Sequence, residues 1–166
     1  MAVDHDVPVA IFSLEMSSAQ LVQRLVAAES ELSAEKFRKG DLEDYEYQQL
    51  QTRIKKLAKA KLFIDDTPAL SVFELRAKCR RLKQKHGISM VIIDYLQLMT
   101  AGNDNGKGNR EQEISTISRS IKSIAKELDV PVIALSQLSR SVENRGGDKR
   151  PNRAEPRGSG ANRREG

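Results

Sequence analysis

Met90-Val91-Ile92-Ile93-Asp94-Tyr95-Leu96-Gln97-Leu98-Met99 decides how the rest of the chain is read. Its first four residues form an unbroken apolar run with β-branched members, preceded by a stop at Gly87. So short a run, bounded by a turn signal, predicts a strand buried on both faces of a parallel sheet. Asp94 then puts a charge where the strand emerges. Open α/β sheets bind ligands outside the carboxyl ends of their strands. A carboxylate there can support Mg²⁺ on a nucleotide. An aspartate that merely ends a strand and caps a turn explains the same residue, so its neighbours must decide.

Working outward, Val7–Phe12 is a second strand candidate, with Pro8 at its start where a missing N–H does least harm. Ser17 and Gln20 make a capping box, predicting a helix through Leu21, Val22, Leu25 and Val26. Glu15 is left between the end of that strand and the start of the helix. As first-turn charge on the helix dipole it would be worth only ~0.3–1 kcal/mol. Residues 33–60 read as two charged surface helices broken at Gly40, the first started by Ser33-Ala34-Glu35-Lys36 and the second carrying a sparse stripe of Leu50, Ile54 and Leu57.

Leu62–Ile64 is the next strand, followed by Asp65-Asp66-Thr67-Pro68. Two adjacent aspartates are candidate metal ligands, but an Asx turn before proline explains them more simply. Ser71 and Glu74 form another capping box, opening a helix that turns Val72, Leu75, Cys79 and Leu82 inward and closes at Gly87. After Met99, residues 100–110 (TAGNDNGKGNR) form a loop rich in turn residues. Gly106-Lys107 is not a phosphate loop: Gly102 lies one residue too close, and Gly108 stands where Ser or Thr is required. Glu111–Asp129 carries Ile114, Ile117, Ile121, Ile124 and Leu128 at helical spacing. Pro131–Leu135 is the fourth strand, with Ser136-Gln137 at its end.

Strands alternating with helices predict a parallel sheet with right-handed crossovers. Glu15, Asp94 and Gln137 each follow a strand, so all three can converge on one edge of that sheet. A carboxylate base, a metal-supporting carboxylate and an amide that contacts a phosphate suit hydrolysis of a nucleoside triphosphate.

Composition narrows the classes. The 166 residues fit one domain, and a core without Trp must be built from Ile, Leu, Val and Ala. Cys79 is the only cysteine, which excludes an intramolecular disulfide and reads as a small core residue. One Cys with the distant His5 and His86 makes no metal cluster. The net charge of +5 permits a nucleic-acid partner without requiring one. Residues 143–166 hold seven Lys/Arg against four Asp/Glu and almost nothing apolar, so this polar, basic tail is expected to be disordered. No secretory signal is recognisable and no apolar run is long enough for a bilayer, so a cytoplasmic protein with no membrane partner is expected.

Taken together, residues 11–18 (IFSLEMSS), 62–68 (LFIDDTP), 74–83 (ELRAKCRRLK), 91–99 (VIIDYLQLM), 109–128 (NREQEISTISRSIKSIAKEL) and 130–143 (VPVIALSQLSRSVE) closely resemble the carboxyl-terminal ATPase domain of DnaB-type replicative DNA helicases. The resemblance covers Pro8 to Pro151. It implies an α/β, RecA-like P-loop NTPase core, with a mostly parallel sheet flanked by helices, in residues 1–142. It further implies ATP and Mg²⁺ as cofactors, a homo-hexamer around single-stranded DNA, and a primase and a helicase loader as partners. By position, Glu15 resembles the catalytic base that polarises water. Asp94 resembles the Walker B carboxylate that holds Mg²⁺ through water, and Gln137 the residue linking the γ-phosphate to the DNA loops. The loop after Met99 resembles one facing the ring channel.

The chain departs from that pattern in two places. The phosphate loop that precedes SLEM in the family (Walker A) is absent from these residues, so the core is incomplete, an exposed sheet edge and low stability are expected, and the chain alone is expected neither to hydrolyse ATP nor to unwind DNA. In the tail, Arg157, Ser159 and Gly160 match a DNA-contacting LRESG segment, whereas Pro156 and Gly158 do not, and the later strands and arginine finger are missing. The reading is therefore a fragment of a replicative helicase. A non-catalytic RecA-like module that binds helicase subunits or a loader is the alternative. A recombinase or circadian-type ATPase of the same fold is a weaker rival, since those families carry other residues at SLEM and DYLQLM.

Overall fold

Strands and helices alternate along the chain in the computed structural model, which describes residues 1–102 and 110–137. β1 (Val9–Ser13) is followed by three helices, α1 (Ser18–Ser30), α2 (Ala34–Lys39) and α3 (Asp44–Lys59), and then by β2 (Leu62–Asp65). α4 (Val72–His86) leads to β3 (Met90–Asp94), and a single 3₁₀ turn spans Leu96–Leu98. α5 (Arg110–Leu128) leads to β4 (Val132–Ala134). The four strands form one sheet in the order β2-β1-β3-β4, and every neighbouring pair is parallel. At least one helix lies between successive strands, as parallel pairing requires.

Register puts Ala10 beside Val91 and Phe12 beside Ile93. These four side chains share one face and are almost completely shielded from water. α4 reaches the same core through Leu75 and Cys79, and α5 through Ile117, Ile121 and Ile124. Fully burying one such side chain stabilises the fold by ~1.5–3 kcal/mol. Cys79 takes the expected core place, and burial pushes its thiol pKa up to about 12.

β3 was expected to be buried on both faces, and this is corrected. Val91 and Ile93 are buried, whereas Met90 and Ile92 are only partly so. Register aligns Ile64, Ile11, Ile92 and Ile133 as a row across the second face, ending at Ile133, which is 47% exposed. The cause is the distribution of helices. α4 and α5 contact one another and share the first face, while α1 packs on α2 and α3. Among the described residues β4 pairs only with β3 and β2 only with β1, so these two strands form the edges of the sheet.

Local chemistry sets the helix ends. Both predicted capping boxes form, Ser17 with Gln20 and Ser71 with Glu74. Gly40 and Gly87 end α2 and α4 in the left-handed conformation. Ser33, expected to cap α2, makes no such hydrogen bond. α3 is instead capped by Glu43 with Glu46, whose carboxylate accepts the Glu43 N–H at 2.9 Å and pairs with Lys36 at 3.0 Å.

Candidate functional site

The carboxyl ends of all four strands lie along one edge, and the chain leaves that edge in opposite directions from the two central strands. From β1 it runs to β2, and from β3 it runs to β4 on the other side. Adjacent parallel strands whose connections diverge leave a crevice between them, the place where open α/β sheets bind ligands. Ser13 pairs with Asp94 at this point, and the Leu14 N–H donates to the Asp94 carbonyl at 2.8 Å. Glu15 stands two residues beyond Ser13, so the two predicted carboxylates occupy adjoining strand exits. Gln137 follows β4, the next strand over, three residues past Ala134, which pairs with Ile93. The structure therefore places Glu15, Asp94 and Gln137 on the exits of three consecutive strands.

Glu15 projects from a tightly held turn. Ser13 is buried and donates its hydroxyl to the Met16 carbonyl at 2.8 Å, while Leu14 is packed into the core. Glu15 itself is exposed, facing a cleft with Gln20, Gln23, Arg24 and Arg38. Downstream, the Ser17 hydroxyl accepts the Gln20 N–H at 3.3 Å, and the Gln20 side chain accepts the Ser17 N–H at 3.2 Å. Asp66 adds a tie not foreseen from sequence: its carboxylate accepts the Ser18 N–H at 2.7 Å, fastening the β2 exit to the first turn of α1. Those hydrogen bonds from Ser18 hold the Asp66 carboxyl below the ordinary carboxylate range.

The expected Asx turn at Asp65-Asp66 is present, since Asp65 accepts the Thr67 N–H at 3.1 Å. Asp65 also pairs with Lys78 at 2.6 Å. Both aspartates are thus engaged in holding the edge together. Among the described residues no group of three or more His, Cys, Asp or Glu side chains is arranged to hold a metal. Asp94, half-buried at its strand end, suits Mg²⁺ bound through water, because that ion keeps several waters and needs few protein ligands when phosphate oxygens are present. Arg157, Ser159 and Gly160, the tail from residue 143, and Gly106-Lys107 lie outside the described residues.

Gln97 escaped the sequence reading. Its side chain crosses to the β4 exit, donating to Ser136 Oγ at 2.9 Å and to the Gln137 carbonyl at 3.2 Å, and accepting the Gln137 N–H at 3.3 Å. The available signal was one amide inside an otherwise apolar turn, Tyr95–Met99.

Known proteins resemble this chain in sequence and in fold. The family described as DnaB-like helicase C terminal domain matches residues 1–165. The replicative DNA helicase DnaB of Geobacillus stearothermophilus is 54% identical over 153 residues, which cover 92% of this chain and 33% of that protein. The replicative DNA helicase DnaC of Bacillus subtilis (strain 168) is 52% identical over 161 residues, covering 97% of this chain and 35% of that protein. Among solved structures, the ATPase domain of G40P superposes with a TM-score of 0.87 at 38% identity, over 95% of this chain and 56% of that one. A DnaB-like replicative helicase studied with its primase interactions gives 0.86 at 38% identity, over 95% of this chain and 38% of that one. The chain spans about a third of the length of these two curated relatives. With its α/β sheet and its match along nearly all 166 residues, the chain belongs to the family of DnaB-like helicase C-terminal domains.

Proposed function

We propose that these residues supply the water-activating and metal-supporting part of an ATPase site in a replicative DNA helicase. The observation that carries this reading is the pairing of Ser13 with Asp94, which sets Glu15 and Asp94 at adjoining strand exits where the connections diverge. In this role Glu15 orients and polarises the water that attacks the γ-phosphate. Asp94 would hold Mg²⁺ through the ion's bound waters, and the ion would supply charge neutralisation at the phosphates. Gln137 offers its amide to the γ-phosphate from the third strand exit. The groups that grip the phosphates come from outside these 166 residues, which contain no GxxxxGK[ST] sequence, and the chain alone turns over no ATP. The working protein is a cytoplasmic homo-hexamer that moves on single-stranded DNA with a primase and a loader as partners. Arg157, Ser159 and Gly160 contribute to DNA contact.

The test is steady-state ATPase of a full-length helicase carrying this segment, with and without Glu15→Gln. General-base removal is expected to lower kcat by ~10²–10⁴-fold, with the KM for ATP little changed. Full turnover in the Glu15→Gln protein would refute the assignment.

A further inference from the structure

The Gln97 side chain imitates a strand partner. One carboxamide both donates to the carbonyl of Gln137 and accepts from its N–H, the pairing a β-ladder would provide. The β3–β4 ladder ends at Ile93 and Ala134 and is prolonged by the Leu96 N–H on the Leu135 carbonyl at 3.0 Å. Gln97 then carries it to Gln137, beyond the last strand residue. The other end of Gln97 is tied to a different element. Its main-chain carbonyl accepts from the Arg110 guanidinium, and Arg110, the first residue of α5, also pairs with Glu113. Glu113 in turn accepts the Ala101 N–H at 3.2 Å. The first turn of α5, the chain leaving the 3₁₀ turn and the β4 exit are thus joined at one residue.

We infer that Gln97 is a positioning residue, holding the backbone of Gln137 in register with the first turn of α5 so that the two shift together. The inference rests on the helicase reading for its functional consequence and on the hydrogen bonds alone for its geometry. Gln97 has partners among the described residues that include Ser136, Gln137 and Arg110. It acts through Gln137, whose contact with the γ-phosphate is only as well placed as the main chain that carries it.

Two variants separate its atoms. Gln97→Met keeps the length and removes both polar groups, whereas Gln97→Glu keeps the acceptor for the Gln137 N–H and loses the donor. Amide hydrogen exchange in this chain reads the clamp directly. Exchange at Gln137 is expected to accelerate several-fold in Gln97→Met and less in Gln97→Glu. Unchanged exchange in Gln97→Met overturns the inference. In the full-length helicase the readout is kcat with single-stranded DNA divided by kcat without it. The active fraction cancels in this ratio, so a merely structural role leaves it unmoved. The ratio is expected to fall toward one in Gln97→Met, and adding Gln137→Ala should lower it no further. An unchanged ratio, or losses that multiply, overturns the inference. If the unmodified helicase lacks Glu15-dependent ATPase, the helicase reading falls instead, and the exchange measurement still decides the clamp.

Discussion

Replacing Ile117 by alanine tests the core that supports the site. Ile117 is completely buried in α5, in the cluster that holds Phe12, Cys79 and Ile93. Truncating a buried isoleucine to alanine costs ~2–5 kcal/mol, the upper end applying where neighbours cannot collapse into the space. Here the neighbours are a central strand pair and a second helix, so collapse is limited. Since ~1.4 kcal/mol is tenfold in an equilibrium constant, the open population should rise by about 30-fold to several thousand-fold. Cys79 is a built-in reporter, being the only cysteine and fully shielded from water. Thiol reagents attack the thiolate, and a thiol with its pKa at about 12 supplies almost none while folded. Labelling therefore proceeds through opening, and where reclosing is fast its rate tracks the opening equilibrium. The Ile117→Ala chain should label at least ~30-fold faster, with a lower urea midpoint and an unchanged m-value. Ile133→Ala, at the exposed end of the second-face row, should change the rate by no more than about threefold. Equal rates for wild type and Ile117→Ala would mean that α5 does not seal this core.

Two further substitutions probe the edge and the helix that follows it. Burial raises the Asp65 pKa, but hydrogen bonds from Lys78 and Thr67 outweigh that and leave it below the ordinary range. Its contribution is present above the unfolded value and is lost as pH falls through the folded one. Wild type and Asp65→Asn should then differ in Tm near neutrality and converge in acid, and a constant gap down to low pH would contradict the pairing. For α4, Ser71→Ala should cost about 1 kcal/mol by urea unfolding, whereas Ser71→Thr, which keeps the hydroxyl, should restore most of it. Equal losses in the two variants would rule out the side-chain cap.

What could be read from the sequence was mostly short-range. Ser17 with Gln20 and Ser71 with Glu74 cap helices by reaching three residues along the chain, so the pattern and the bond are nearly the same fact. The isoleucines of α5 announce both a helix and its inner face. The strand-exit positions of Glu15 and Asp94 were legible because each interrupts a strand-to-helix transition, and the parallel topology puts such interruptions on one edge. Gln97 was not, because its side-chain partners are about 40 residues away, just past a neighbouring strand, and pairing becomes visible only with the register. The Asp66 tie to α1 failed to show for the same reason, at a separation of 48 residues. The one-sided burial of β3 escaped because an apolar run says what a strand can bury, not which helices cover it. Glu43 stands where Ser, Thr, Asp or Asn is preferred, so a search by cap preference passes over it.

The place of β1 between β2 and β3 also has a consequence for biosynthesis. Val9 pairs with Leu62 on one side and with Met90 on the other. While the chain is being made, one side of β1 can be occupied after β2 emerges, but the other waits for β3. At ~5–20 residues per second that wait is on the order of a second to several seconds. Throughout it a strand destined for the centre of the sheet has an unpaired edge, and the Glu15 turn has no Asp94 beside it. During that interval the exposed edge belongs to a strand that later lies between two others.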